Sequence, residues 1–309
     1  MTLSRPGLAL AAGVLVAAPA LAQEKPSPPV FAAGTDIVNI TLTVRDGEGH
    51  LVPDLKREDF VVMEDGHPQT IQVFARAVEP GQEETLALDL GLVLDTSESM
   101  IKMLRLTQEA AVRFLEAIPR ARDLITIFFD EDIRLSRYDS EHQQGLIERI
   151  ETIKGGGWTA LYDAIALYLV RVQDSTGRKV LVLLTDGEDS RSKIMLGELL
   201  QAIRSSAVTI YPIGIFGGFP SGSARLREAR AFLQQVADIS GGQLFAPAAS
   251  KDLGAVYDKI IDELSTQYVI GFVSDNPRRD GKFRKLKVDV RHPGMKARHR
   301  PGYYAPGGR

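Results

Sequence analysis

The sequence predicts an α/β protein: a large domain with a mostly parallel central sheet and helices on both faces, joined to a smaller β-sandwich built from the two flanks of the chain. Three observations carry this. Between residues 86 and 265, continuous apolar strands alternate with segments of helical periodicity on a short repeat, the pattern of a parallel sheet covered on both sides. On either side, residues 36–80 and 266–306 contain runs in which apolar and polar residues alternate, as in half-buried strands. Each flank is only ~40 residues, too few to bury a core without disulfides or a metal, and the chain has no cysteine. The flanks are therefore expected to pair with each other around an inserted domain whose own ends lie close together. The competing arrangement has residues 267–291 extending the parallel sheet.

The elements follow in order. The opening MTLSRPGLALAAGVLVAAPALAQ has a cation at Arg5, an apolar run from Gly7 to Ala18 that is short for a bilayer, and a small-x-small site at Ala20-Leu-Ala22. It reads as a secretory signal over residues 1–22, with an uncleaved N-terminal anchor as the alternative. Residues 23–35 hold three prolines and read as a linker. Val38, Ile40, Leu42 and Val44 alternate with polar residues in a first strand, and FVVMEDGHPQTIQVF reads as two strands turning at Asp65-Gly66. The inserted domain then shows strands at 86–95, 124–129, 179–186, 208–216 and 243–247, with helices at 100–118, 142–153, 159–173, 195–207, 224–240 and 252–264. Gly241-Gly242 ends the fifth helix. Beyond residue 265 come YVIGFV and FRKLKVDVR, the latter with Phe283, Leu286, Val288 and Val290 on one face.

Composition narrows the function. Hydrophobic residues make up 44% and charged residues 25% of the 309, as in a folded globular chain. A net charge of -3 offers no field for nucleic acid. The basic cluster Arg278, Arg279, Lys282, Arg284, Lys285 and Lys287 reads as the charged outer face of an edge strand, which discourages aggregation, rather than as an anion site. No later segment approaches ~20 apolar residues, so no stable membrane insertion is expected after signal cleavage, and the location is periplasmic or secreted. Without cysteine there is no disulfide and no zinc–thiolate site, and the five histidines show no ligand spacing. G-x-S-x-G, the P-loop pattern and a strand-associated G-x-G-x-x-G are all absent, which counts against an enzyme.

Three polar clusters fall where parallel strands end, the place where open α/β sheets bind ligands. The first is Asp95, Thr96, Ser97 and Ser99, closing GLVLDTSESM; the second is the loop GGGWT, with Thr159; the third is Thr185-Asp186-Gly187. Singly, each has a local reading as a helix cap or a turn. Together they form an oxygen-only set on one rim, which suits a hard divalent cation. The set Asp95-x-Ser97-x-Ser99, Thr159 and Asp186 resembles the metal-ion-dependent adhesion site of the von Willebrand factor A family, in order, spacing and placement. The resemblance covers about residues 86–265 and implies a Rossmann-like domain. It also implies Mg²⁺ as cofactor, with Mn²⁺ and Ca²⁺ as alternatives. Ser97, Ser99 and Thr159 would contact the ion, and Asp95 and Asp186 would bind it directly or through water. The implied partner is a protein that donates a Glu or Asp carboxylate. The whole chain further resembles bacterial exported proteins in which this domain sits between β segments and the end resembles Gly302 to Pro306. Two other functional readings stand beside adhesion: a Mg²⁺-dependent phosphohydrolase, and a scaffold in an envelope complex.

Several neighbours are weighed with the set. Asp163 follows Thr159 by four residues and could stand behind the metal or face solvent. Glu188 and Asp189 read as solvating their loop, with partner selection as the alternative. Trp158 is either packed beneath its glycine loop or exposed as a contact residue, and the loop 217–223 borders the rim.

Overall fold

The computed structural model describes residues 37–77, 87–118, 121–138, 143–249 and 252–307. The predicted signal segment 1–22 and linker 23–35 lie outside these residues. In chain order, the first flank contributes β1 (Ile37–Arg45), β2 (Phe60–Glu64), β3 (His67–Gln69) and β4 (Ile71–Arg76). The central part contains β5 (Leu88–Asp95), α1 (Ile101–Ala117), β6 (Asp123–Phe129), β7 (Ile133–Tyr138), α2 (Gln143–Thr152), α3 (Leu161–Arg171), β8 (Arg178–Thr185), α4 (Leu196–Ser205), β9 (Thr209–Gly214), α5 (Ala224–Ser240) and α6 (Leu253–Thr266). The second flank adds β10 (Tyr268–Val273), β11 (Phe283–Val290), β12 (Lys296–His299) and β13 (Gly302–Tyr304).

The central sheet runs β7-β6-β5-β8-β9, parallel except for β7, which is antiparallel to β6. Every residue of β5 and β9 is buried, as largely apolar strands covered on both faces require; the one acid inside β5, Asp89, is paired with Arg122 at 2.6 Å. One face is covered by α1, α2 and α6, where Phe114, Leu146 and Tyr257 meet Leu90, Leu92 and Val182. The other is covered by α3, α4 and α5, where Tyr168, Leu199 and Leu233 meet Ile127, Leu181 and Leu183. Helix α5 stops at Gly241, whose φ of +79° suits glycine.

Gly91 in β5 is fixed by a close approach. A Cβ there would stand 2.2 Å from the ring of Tyr168, a fully buried residue whose hydroxyl donates to the Val180 carbonyl at 2.7 Å. Since the ring has nowhere to retreat, Gly91→Ala is expected to lower stability by about 1–3 kcal/mol, the usual cost of overpacking. A urea titration checks this: an unchanged midpoint would show that Tyr168 can move.

The flanks pair with each other as expected. One sheet has the order β12-β1-β10-β4 and the other β13-β11-β2-β3, so both mix strands from the two ends of the chain. Ile40, Leu42, Phe60, Tyr268, Phe272 and Leu286 close the core between them. The sandwich is clasped to the α/β part through Glu263 of α6, which is fully buried and binds Arg45 of β1 at 2.5 Å and Arg298 of β12. The backbone closes the neck, where Ala77 N donates to Gln267 O at 2.8 Å. No helix among the described residues is long and apolar enough to cross a membrane.

The structure departs from the sequence reading in several places. The strand β7 went unpredicted because IRLSRY is polar at half its positions and only part-buried. The predicted strand 243–247 shrinks to a single parallel bridge between Phe245 and Ile213. Helix 159–173 starts later, at Leu161, leaving Thr159 in the loop. The strand carrying the basic cluster is not an edge, because β11 lies between β13 and β2. Its inward face begins with Arg284, not Phe283: Arg284 is 3% exposed and faces the buried Glu64 at 3.3 Å, whose carboxylate also accepts from Tyr303 and Ser274. Phe283 lies on the other face and packs edge-on against Tyr304.

Candidate metal centre

Strands β5 and β8 are parallel neighbours, with Leu94 opposite Leu184, so their next residues emerge side by side at the same edge of the sheet. Asp95 ends β5 and Asp186 follows β8. The chain after Asp95 turns through a short 3₁₀ segment, Glu98–Met100, before entering α1. That turn brings Ser97 and Ser99 back over the strand end. Asp95 Oδ1 accepts from Ser97 N at 3.0 Å and from Ser97 Oγ at 2.5 Å, and Oδ2 accepts from Thr185 Oγ1 at 2.6 Å. Ser97 Oγ is 3.2 Å from Ser99 Oγ, and the Ser99 hydroxyl lies close enough to Asp186 to favour its charged form. Asp186 Oδ1 also accepts from Glu188 N at 3.0 Å.

The glycine loop is stitched to the first loop through its backbone. Gly156 N donates to Thr96 O at 2.8 Å and Glu98 N to Gly157 O at 3.1 Å. A Cβ on Gly155 would lie 2.7 Å from that same Thr96 oxygen, so the loop can approach this closely only with glycine. Thr159 then borders the same cleft as Ser99, its carbonyl held at 2.9 Å by the amides of Ser190 and Arg191. Three predicted residues, Asp95, Ser97 and Ser99, thus form one hydrogen-bonded chain, Asp186 stands beside Ser99, and Thr159 lines the same cleft as Ser99.

Burial, and after it the charge of Asp186, push the Asp95 carboxyl up to about 7 against the opposing bonds from Ser97 and Thr185. Asp186 is also raised, chiefly by burial, against the bonds from Ser99 and the Glu188 amide. No Lys or Arg side chain bonds to either carboxylate among the described residues. Two carboxylates turned inward on one rim, with hydroxyls between them, match what a hard cation takes. No group of three or more His, Asp or Glu side chains is arranged to hold a metal among the described residues, so an ion here would rest on the hydroxyls as well.

The neighbours settle differently. The Asp163 carboxylate accepts from Lys193 N at 3.0 Å and Ile194 N at 3.1 Å, so it anchors the loop after β8 rather than standing behind the rim. Asp189 is engaged, not solvating: its Oδ1 takes Tyr162 N at 3.1 Å, in the first turn of α3, and the Ser192 hydroxyl at 2.5 Å. Glu188 pairs with Arg225 of α5, Nε to Oε1 at 2.6 Å. Trp158 is 62% exposed and lines a cleft of about 790 Å³ with Tyr162, Leu196 and Phe232. The loop 217–223 approaches that cleft through Phe219, whose ring lies 5.9 Å from the guanidinium of Arg225, itself part of the cleft wall. The roles of Asp189, Ser190 and Arg225 escaped the sequence because each acts on a segment far along the chain.

A sequence model of the von Willebrand factor type A domain matches residues 89–259. No curated protein sequence matches the chain. Solved structures similar to it include a von Willebrand factor type A protein from Catenulispora acidiphila, at 13% identity and a TM-score of 0.49, with 89% of this chain and 74% of that one aligned. Another is an aerotolerance-related membrane protein from Bacteroides fragilis, at 19% identity and a TM-score of 0.45, covering 58% of this chain and 98% of that one. A third is the von Willebrand factor domain of a type V pili tip protein from Porphyromonas gingivalis, at 13% identity and a TM-score of 0.45, covering 57% and 94%.

Proposed function

We propose, from the premise that this chain belongs to the von Willebrand factor type A domain family, that its α/β part is a protein-interaction module whose rim captures a partner carboxylate on a Mg²⁺ ion. Asp95, Ser97, Ser99, Thr159 and Asp186 would hold the ion. One observation carries this reading: two buried carboxylates face the same rim with hydroxyls between them and no cationic side chain bonded to either. Placed alone, such a pair is mutually repulsive and costly to desolvate; a divalent cation offsets both effects. When bound, the ion supplies an electrophilic position for a carboxylate oxygen.

The chain's own residues do the rest. The bonds from Ser97 and Thr185 fix the orientation of Asp95. Main-chain bonds hold the glycine loop, and with it Thr159, against the first loop. The exposed Trp158 offers a large apolar contact beside the rim. Binding rather than catalysis is supported by the engagement of the nearby acids, Glu188 with Arg225 and Asp189 with α3. Calorimetric titration with Mg²⁺ tests the reading. Wild-type protein should bind one ion saturably, and Ser97→Ala should bind it about tenfold or more weakly, as expected for a lost ligand interaction. A wild-type protein that shows no saturable binding of Mg²⁺, Mn²⁺ or Ca²⁺ would remove the metal from the proposal.

A further inference from the structure

A cavity of about 540 Å³ opens at the end of the parallel sheet opposite the candidate metal centre, where the turn between α4 and β9 meets β1 and the closing strands of the sandwich. Four arginines line it, Arg278, Arg279, Arg284 and Arg300, and no Asp or Glu among the described residues does. Arg284 is compensated by Glu64 at 3.3 Å and Asp280 at 3.6 Å. Arg300 is held in another way. Its Nη1 donates to Ser206 O at 3.1 Å and its Nη2 to Asn39 O at 2.8 Å, while Nε has no partner among the described residues. The Tyr303 ring lies 5.8 Å from the guanidinium.

These neighbours are neutral, so they position the guanidinium without balancing its charge. Arg300 is part-buried, and this burial holds its pKa down to about 10. A cation taken out of water without a counter-charge is costly, and a bound anion offsets that cost. Arg278 stands exposed at the same cavity, with no carboxylate partner among the described residues. Tyr303, Tyr304, Pro277 and Pro306 supply apolar wall. The volume falls within the ~300–1,000 Å³ usual for small-molecule sites.

We propose that this cavity is a binding site for a small organic anion, its carboxylate or phosphate group met by Arg300 and Arg278 and its ring-sized apolar body lying against Tyr303 and Tyr304. An inorganic ion would leave the apolar wall unmatched, and a neutral ring would leave the guanidinium unbalanced. The basic segment around Arg278 then has a role beyond a charged surface.

Calorimetric titration of the full chain with benzoate, phenyl phosphate, inorganic phosphate and benzyl alcohol tests this, each with and without chelator. Benzoate or phenyl phosphate should bind saturably, one per chain, and the tighter of the two identifies the oxoanion. Inorganic phosphate and benzyl alcohol should bind more weakly. Chelator should change nothing, which keeps this site separate from the metal rim. Arg300→Gln, checked for folding by circular dichroism, should lose about tenfold or more in affinity; Arg278→Gln should also weaken binding, and it carries the test if Arg300→Gln does not fold. The proposal is overturned if neither aryl anion saturates, if benzyl alcohol binds as well as benzoate, or if inorganic phosphate binds as tightly as phenyl phosphate. It also fails if chelator abolishes binding, or if the folded variants bind like wild type.

Discussion

Replacing Asp186 with alanine is expected to abolish capture of the divalent ion and of the partner together, while leaving the fold intact. Asp186 is one of only two carboxylates in the donor set, and the Ser99 hydroxyl lies beside it. Without it the rim keeps a single negative charge for a doubly positive ion. A carboxylate from the partner then loses its charge-assisted contact, and such losses commonly cost ~2–5 kcal/mol. At about 1.4 kcal/mol per tenfold, that is roughly 30-fold or more in affinity. The fold should tolerate the change, because the side chain sits at the strand end while the buried aliphatic residues of β5 and β8 carry the core. The measurement is partner affinity for wild type and Asp186→Ala, each with and without chelator. Equal affinity in all four conditions would reduce the oxygen cluster to a helix cap.

Glu263→Ala should do the reverse, costing stability and leaving the proposed metal-binding rim unchanged. Glu263 is fully buried and holds Arg45 and Arg298 across the junction between α6 and the sandwich. Both arginines are part-buried, at 36% and 29% side-chain exposure, and Arg298 is further held by Gln243 at 2.6 Å. Removing the shared acid leaves two cations facing each other in a partly dry interface, and breaking a buried pair typically costs about 3–5 kcal/mol. Urea unfolding followed by circular dichroism and by the fluorescence of Trp158, the sole tryptophan, reads both the loss and its cooperativity. A midpoint equal to that of wild type would show that the ion cluster does not hold the two parts together.

Local signals made most of the α/β part legible. The largely apolar runs of β5, β8 and β9 and the helical periodicity of α1 and α6 needed no partner to be recognised. The positions of Asp95, Ser97, Ser99 and Asp186 at strand ends were readable for the same reason. What sequence could not show is what a polar residue meets. Arg284 looked like one more surface charge in a basic run, yet its partner Glu64 comes from the other flank, 220 residues away. Asp189 looked like loop solvation because the helix it caps precedes it by a strand and a turn. The strand β7 lacks a clean alternation because it closes the sheet edge, where neither face is fully covered.

The pairing of both flanks in one sandwich bears on how the molecule would carry tension. The α/β part leaves the sandwich from β4 and returns through β10, and these two strands are hydrogen-bonded neighbours in the same sheet, sealed by the Ala77–Gln267 bond. A pull applied beyond β1 and β13 therefore loads the contacts within and between the two antiparallel sheets. The inserted part hangs from adjacent strands like a pendant from a clasp. The covalent path through it lies off the line of force until β4 and β10 separate, so before then a load reaches it only through side contacts such as those of Glu263 with β1 and β12.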